Sequence, residues 1–155
     1  MIASDAAVRP DELARQLFSV ATHFCLALPR GRRRAGDLKD VEFLTLTLLS
    51  SHGTMIVGDI QRLLGVLPAQ MSRIIRSLEA RDRPLIACRI NPQDKRKIDV
   101  CLTSAGEKAL AEYREQRVRA IAELLSKLRV DDLEDVHGLL GKLHLLPERL
   151  APVVS

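Results

Sequence analysis

The sequence predicts a mainly α-helical fold that carries one small β-hairpin. Three observations lead there. Hydrophobic residues make up 46% of the chain but aromatics only 3%, so the core must be Leu, Ile, Val and Ala, a mixture suited to packed helices. Apolar residues recur at three- and four-residue spacing along most of the 155 residues, which is the helical period. From Leu85 to Leu102 the period changes to two on either side of a short charged stretch, NPQDKRK. The length suits one domain, or one domain with extra helices, and is enough to bury a core.

Residues 1–10 read as a flexible N-terminus. Pro10-Asp11-Glu12 opens a helix expected over Asp11 to Leu28, with proline early and acids in the first turn. Its apolar face is Leu13, Leu17, Val20, Ala21, Phe24 and Leu28; Pro29 and Gly31 end it, and a basic loop runs to Lys39. A second helix, Lys39 to Ser51, is apolar over most of its surface and ends at Ser51-His52-Gly53. A short helix, Val57 to Leu64, meets a turn at Gly65-Val66-Leu67. Pro68 then takes the first position of a helix reaching Arg81. There Met71, Ile74, Ile75 and Leu78 face inward, while Gln70, Ser72, Arg73, Arg76 and Ser77 face outward.

The hairpin follows. Pairing residue 90 with 98 and 88 with 100 puts Ile86, Cys88, Ile90, Ile98, Val100 and Leu102 on one face. Cys101 then points to the other face, so no disulfide is expected between Cys88 and Cys101. Thr103-Ser104-Ala105-Gly106-Glu107 opens a long helix expected over Ser104 to Leu128, with a loose first turn because glycine is a poor helix former. The last helix begins near Asp131, where Asp131 and Glu134 suggest a capping box. Its Leu133, Val136, Leu140, Leu143 and Leu146 face a partner before Pro147 stops it.

The net charge of +4 is unevenly spread. Eight Lys and Arg lie between Pro68 and Lys97 against three acids, and Arg30-Gly31-Arg32-Arg33-Arg34 adds four more cations. Two concentrated basic segments suit a polyanion. No apolar run reaches a membrane-spanning length, the N-terminus lacks signal-peptide blocks, and three cysteines without a framework pattern suggest a reducing cytoplasm. No glycine-rich phosphate loop, zinc motif or assembled triad is visible, so neither an enzyme nor a cofactor is expected. No pair among His23, His52, His137 and His144 has the spacing that lets two imidazoles share a metal on one helix.

Two short helices joined by a glycine turn make a helix-turn-helix candidate over Val57 to Ala80. Followed by a hairpin with a basic tip, the order describes a winged helix-turn-helix. Its second helix suits the DNA major groove and its wing the neighbouring minor groove. Here the chain resembles the MarR family of bacterial transcription regulators. The resemblance rests on Asp94-x-Arg96 in the wing and Leu102-Thr103-x-x-Gly106 opening the long helix, supported by Leu78-Glu79 and Leu85-Ile86. It covers about residues 11 to 147. Two departures are the Asp82-Arg83-Pro84 loop, where the family often has glycine, and Leu67, a poor N-cap before Pro68.

The resemblance implies a homodimer on double-stranded DNA, its first and last helices interlocking two chains. It divides the chain into residues 11–35, a dimerisation helix and basic loop; 36–103, the winged helix-turn-helix; and 104–150, the C-terminal dimerisation helices. Pro68, Ala69, Gln70, Ser72, Arg73 and Arg76 form the groove-facing set, with Gln70 and Arg73 toward base edges and Ser72 and Arg76 toward phosphates. In the wing, Arg96 enters the minor groove, Asp94 pairs with Arg96 or braces the turn, and Lys95 and Lys97 sit on phosphates. The expected function is a repressor of a pseudo-palindromic operator, with a small-molecule effector or an oxidant as the signal. A protein-interaction module that kept the fold is the alternative. Phe24, Leu28, Phe43, Leu44 and His52 are the candidate lining of an effector pocket between the dimer helices and the reader head. Cys25 is read as a packed cysteine, with Arg30 and Arg32 close enough in sequence to make it the redox candidate.

Overall fold

The fold is described from a computed structural model, which covers residues 9–28 and 36–150, the last five of these as backbone only. The Arg30–Arg34 loop, Pro29 and the first eight residues lie outside the described residues. The chain divides into two units, Arg30–Arg117 and Met1–Pro29 with Val118–Ser155.

The first unit holds α2 (Asp40–His52), β1 (Met55–Ile56), α3 (Val57–Leu64), α4 (Pro68–Glu79), β2 (Ile86–Ile90), β3 (Ile98–Leu102) and the start of α5 (Ser104–Leu125). Its core is aliphatic, as the composition requires: Leu46, Leu49, Ile60, Met71, Ile74, Leu78, Ile86, Val100 and Leu110 are all buried. Met71, Ile74 and Leu78 lie three and four residues apart, so one face of α4 closes on this core and the other stays in solvent. Gly65 ends α3 in the left-handed region at φ 64°, which glycine adopts without steric cost, and this sets the tight turn into α4. Helix α4 stops at Glu79, two residues short of the expected Arg81, and the Leu85 N–H bonds back to the Leu78 carbonyl.

The hairpin pairs as its alternation requires, with Cys88 opposite Val100 and Ile90 opposite Ile98. Cys101 lies opposite Ala87, so the two wing thiols sit on opposite faces. A third strand was not expected. Met55–Ile56 pairs with Val100 and Asp99, giving the order β1-β3-β2. Two residues carry no readable alternation, and only the pairing with β3 makes them a strand. With β3 now central, Val100 is completely buried.

The entry into α5 is tight, not loose. A Cβ on Gly106 would lie 2.0 Å from the Leu85 carbonyl oxygen, so glycine is there for close approach. The Thr103 hydroxyl donates to the Pro84 carbonyl (2.6 Å) and accepts from the Gly106 N–H (3.1 Å), and the Thr103 N–H reaches the Leu85 carbonyl. The far end of α5 closes at Leu125 instead of Leu128, where Lys127 and Leu128 bond to carbonyls only three residues back.

The second unit contains α1 (Pro10–Ala27), the end of α5 and α6 (Val130–Leu150). Neither α1 nor α6 has a buried residue among those described. Helix α6 does not stop at Pro147 but runs through it to Leu150. A proline removes one N–H and crowds the carbonyl four residues back; so near the helix end, few further bonds depend on that turn.

Candidate nucleic-acid interface

All six residues expected on the groove-facing side of α4, namely Pro68, Ala69, Gln70, Ser72, Arg73 and Arg76, are exposed. Among the described residues Arg73 and Arg76 have no ion-pair partner, while the Ser72 hydroxyl bonds back to the Pro68 carbonyl at 3.0 Å. Ser77 departs from expectation. It is half-buried, and its hydroxyl donates to Glu42 Oε1 at 2.6 Å.

That contact belongs to a buried polar cluster. Glu42, only 1% exposed, sits in the first turn of α2, where its carboxylate accepts the Lys39 N–H at 2.9 Å. Arg81 Nη2 reaches Glu42 Oε2 at 3.1 Å, and Arg81 Nη1 donates to the Gly36 carbonyl. Arg81 Nε is buried without a partner. A carboxylate on α2 therefore holds both the last turn of α4 and the loop beyond it, which fixes how α4 presents its outer face. Its partners Ser77 and Arg81 lie 35 and 39 residues away, and no local pattern in the sequence links them to Glu42.

The wing tip is braced at two points. Asn91 Oδ1 accepts the N–H groups of Gln93 and Asp94, both at 2.9 Å, and Asn91 Nδ2 donates to Asp99 at 2.8 Å. The Asn91-Pro92 dipeptide is a turn signal of this kind. Asp94 does both things expected of it. Oδ1 accepts the Arg96 backbone N–H at 3.1 Å and its Nε at 3.3 Å, and Oδ2 lies 3.8 Å from Lys97 Nζ. The Arg96 side chain remains 91% exposed, oriented yet uncovered. Lys95 is exposed; Lys97 is exposed but shared with Asp94.

The Arg96 backbone N–H, aided by the Arg96 and Lys97 side chains, holds the Asp94 carboxyl below its usual range. A folded value below the unfolded one, about 3.9, means that the brace is fully present above the unfolded value and is lost as pH falls through the folded one. In a carboxyl NMR titration the Asp94 midpoint is expected below about 3.9, with the Arg96 Nε–H signal changing in step. An unshifted midpoint would show that the turn is open in solution.

The effector candidates are distributed over both units. Phe24 and Leu28 lie on and just after α1. Phe43 stacks on Tyr113, centroids 4.5 Å apart, so it is already in contact with a ring of its own unit. Tyr113 Oη donates to Asp40 at 2.8 Å, and Arg117 lies over the Tyr113 ring while reaching Asp40 at 3.0 Å. Leu44 is 47% exposed, and His52 is exposed with Nδ1 3.0 Å from the Leu48 carbonyl. An open cleft of about 410 Å³ lies elsewhere in this unit, between Ile56–Asp59 and the wing residues Arg96 to Ile98.

Cys25 is exposed on α1 in the single chain, and the Arg30 and Arg32 invoked beside it lie outside the described residues. Burial, then a hydrogen bond with Glu79, pushes the Cys88 thiol up to about 12, so it stays protonated near neutral pH. Among the described residues no cluster of three His, Cys, Asp or Glu is arranged to hold a metal ion, and no helix is long and apolar enough to cross a membrane.

A turn-linked helix pair, an outward cationic helix face and a braced basic hairpin define a winged helix-turn-helix. Residues 38–98 match the MarR family model, and the chain carries a MarR-family domain. The fold is similar to that of MarR from E. coli in its apo form, with TM-score 0.72 and 20% identity over 88% of this chain and 97% of that one. It is also similar to the YusO protein of Bacillus subtilis, with TM-score 0.67 and 23% identity over 89% and 99%. A third likeness is the Streptomyces coelicolor transcriptional regulator PcaV in complex with its natural ligand, with TM-score 0.55 and 19% identity over 93% and 97%. No curated protein matches the chain significantly.

Proposed function

We propose that the protein is a homodimeric transcription regulator that binds a pseudo-palindromic double-stranded DNA operator and represses from it. The observation that carries this reading is the wing tip: Arg96 is almost fully exposed, yet its guanidinium is aimed by Asp94. An exposed arginine so oriented loses little conformational freedom on entering a minor groove, whose negative potential attracts it. Arg73 and Arg76 on α4 supply the matching face for the adjacent major groove.

The dimer is supported by α1 and α6. Leu13, Leu17, Phe18 and Leu26 on α1, and Leu139, Leu140 and Leu145 on α6, are all more than half exposed in the single chain. So much apolar surface on two helices suits cover by a second copy. Two reader heads would then occupy successive major grooves about one helical turn apart. A small-molecule effector is supported by the likeness to PcaV, which was crystallised with its natural ligand; an oxidant would have Cys25 on α1 as its target. Either signal releases DNA only by favouring a head spacing that DNA does not.

The test is selection of random duplexes by the purified protein, followed by salt-dependent binding to the enriched site. Affinity should fall steeply with salt, and Arg96→Ala should weaken binding and reduce the slope of log K against log salt by about one per wing. Equal slope and affinity in the variant would remove the wing from the interface. No enriched inverted repeat, with binding that vanishes at physiological salt, would favour an interaction module instead.

A further inference from the structure

Leu67 is the most exposed large hydrophobic side chain in the reader unit, at 73%. It occupies the N-cap of α4, with extended backbone (φ −72°, ψ 152°) and no side-chain cap bond. Leucine ranks far below Ser, Thr, Asp and Asn at an N-cap, because it offers no acceptor to the free N–H groups of the first turn. So Leu67 neither fills the core nor caps the helix. The next two residues, Pro68 and Ala69, are exposed as well, and Arg73 and Arg76 follow Ala69 at four and seven residues, on the same stripe. An apolar tip therefore heads a cationic stripe.

Under the proposed function, on which this inference rests, the N-terminal residues of the recognition helix meet base edges. Phosphates and water do not reward an apolar tip. The major groove presents acceptors, donors and a single apolar group, the C5-methyl of thymine. We infer that Leu67 is a specificity-determining residue that packs on a thymine methyl in each half-site, with Ala69 alongside.

The test uses the full chain and its selected operator, with each thymine of a half-site replaced in turn by deoxyuridine, which lacks only the methyl. Within one half-site, a single such replacement is expected to weaken wild-type binding about four-fold, the effect of burying one methyl-sized group. Leu67→Ser, which places a favoured cap at this position and so keeps the helix, should bind the thymine and uracil duplexes equally while melting no lower than wild type. Half-sites without thymine, an operator indifferent to uracil, or discrimination that persists in Leu67→Ser would each overturn the inference while leaving the regulator reading intact. Failure to select any operator would overturn both.

Discussion

Replacing Arg81 with alanine is expected to lower the stability of the reader unit by about 3–5 kcal/mol, the usual cost of removing one partner of a buried ion pair. The Glu42 carboxylate, 1% exposed, would keep its bonds from Ser77 and the Lys39 N–H but lose its only cationic partner among the described residues. Arg81 is 22% exposed and can turn toward water, so Glu42→Gln should cost less than Arg81→Ala. The Glu42→Leu/Arg81→Leu double variant should recover much of the loss, because well-packed apolar residues often equal a buried pair. Urea denaturation of the set checks this order. A loss under about 1 kcal/mol, the scale of an exposed pair, would mean that water reaches Glu42 freely. Since the cluster ties α2 to the last turn of α4, operator affinity of folded Arg81→Ala protein should fall as well.

Gly106→Ala is expected to destabilise by about 3 kcal/mol, the upper part of the usual overpacking range. Helix propensity alone predicts the opposite sign, a gain of about 1 kcal/mol from replacing glycine inside a helix. The contact decides. The new Cβ would meet the Leu85 backbone carbonyl at 2.0 Å and Leu102 Cδ2 at 3.0 Å. A side chain can rotate away, but the Leu85 carbonyl accepts the Thr103 N–H and stands beside the Pro84 carbonyl that holds the Thr103 hydroxyl. Moving it shifts the strand entry and the start of α5 together. Thermal unfolding settles the sign directly, and a rise in Tm would mean that α5 approaches the strand less closely than described.

Both residues show where sequence reading ends. Gly106 looked like a weakness in a helix when seen through propensity; it is a contact surface for a backbone twenty-one residues earlier. Ser77 looked like one more outward polar residue of α4, and Arg81 like a member of that helix. Their shared partner is Glu42 on another helix, and no local pattern links them. Strand β1 escaped for a similar reason, since its two residues are extended only because Val100 and Asp99 lie beside them. Pro147 was read as a stop from a rule that governs helix interiors, whereas three residues from a helix end little remains to be broken.

What the sequence determined by itself was whatever depends on period and local chemistry. The stripe Met71, Ile74 and Leu78 could close only one face of α4, Gly65 had to make the turn before it, and the alternation on either side of NPQDKRK set the wing register to the residue. The exposed cationic set on α4 and the Asp94–Arg96 pair followed from those placements. Tertiary structure alone decided the third strand, the Glu42 cluster that seats α4, the need for glycine at 106 and the isolation of Leu67 in solvent. Those features depend on distances between atoms far apart in the chain, set by packing at near-crystalline density. Periodicity encodes which face a residue takes, but not which residue waits on the other side.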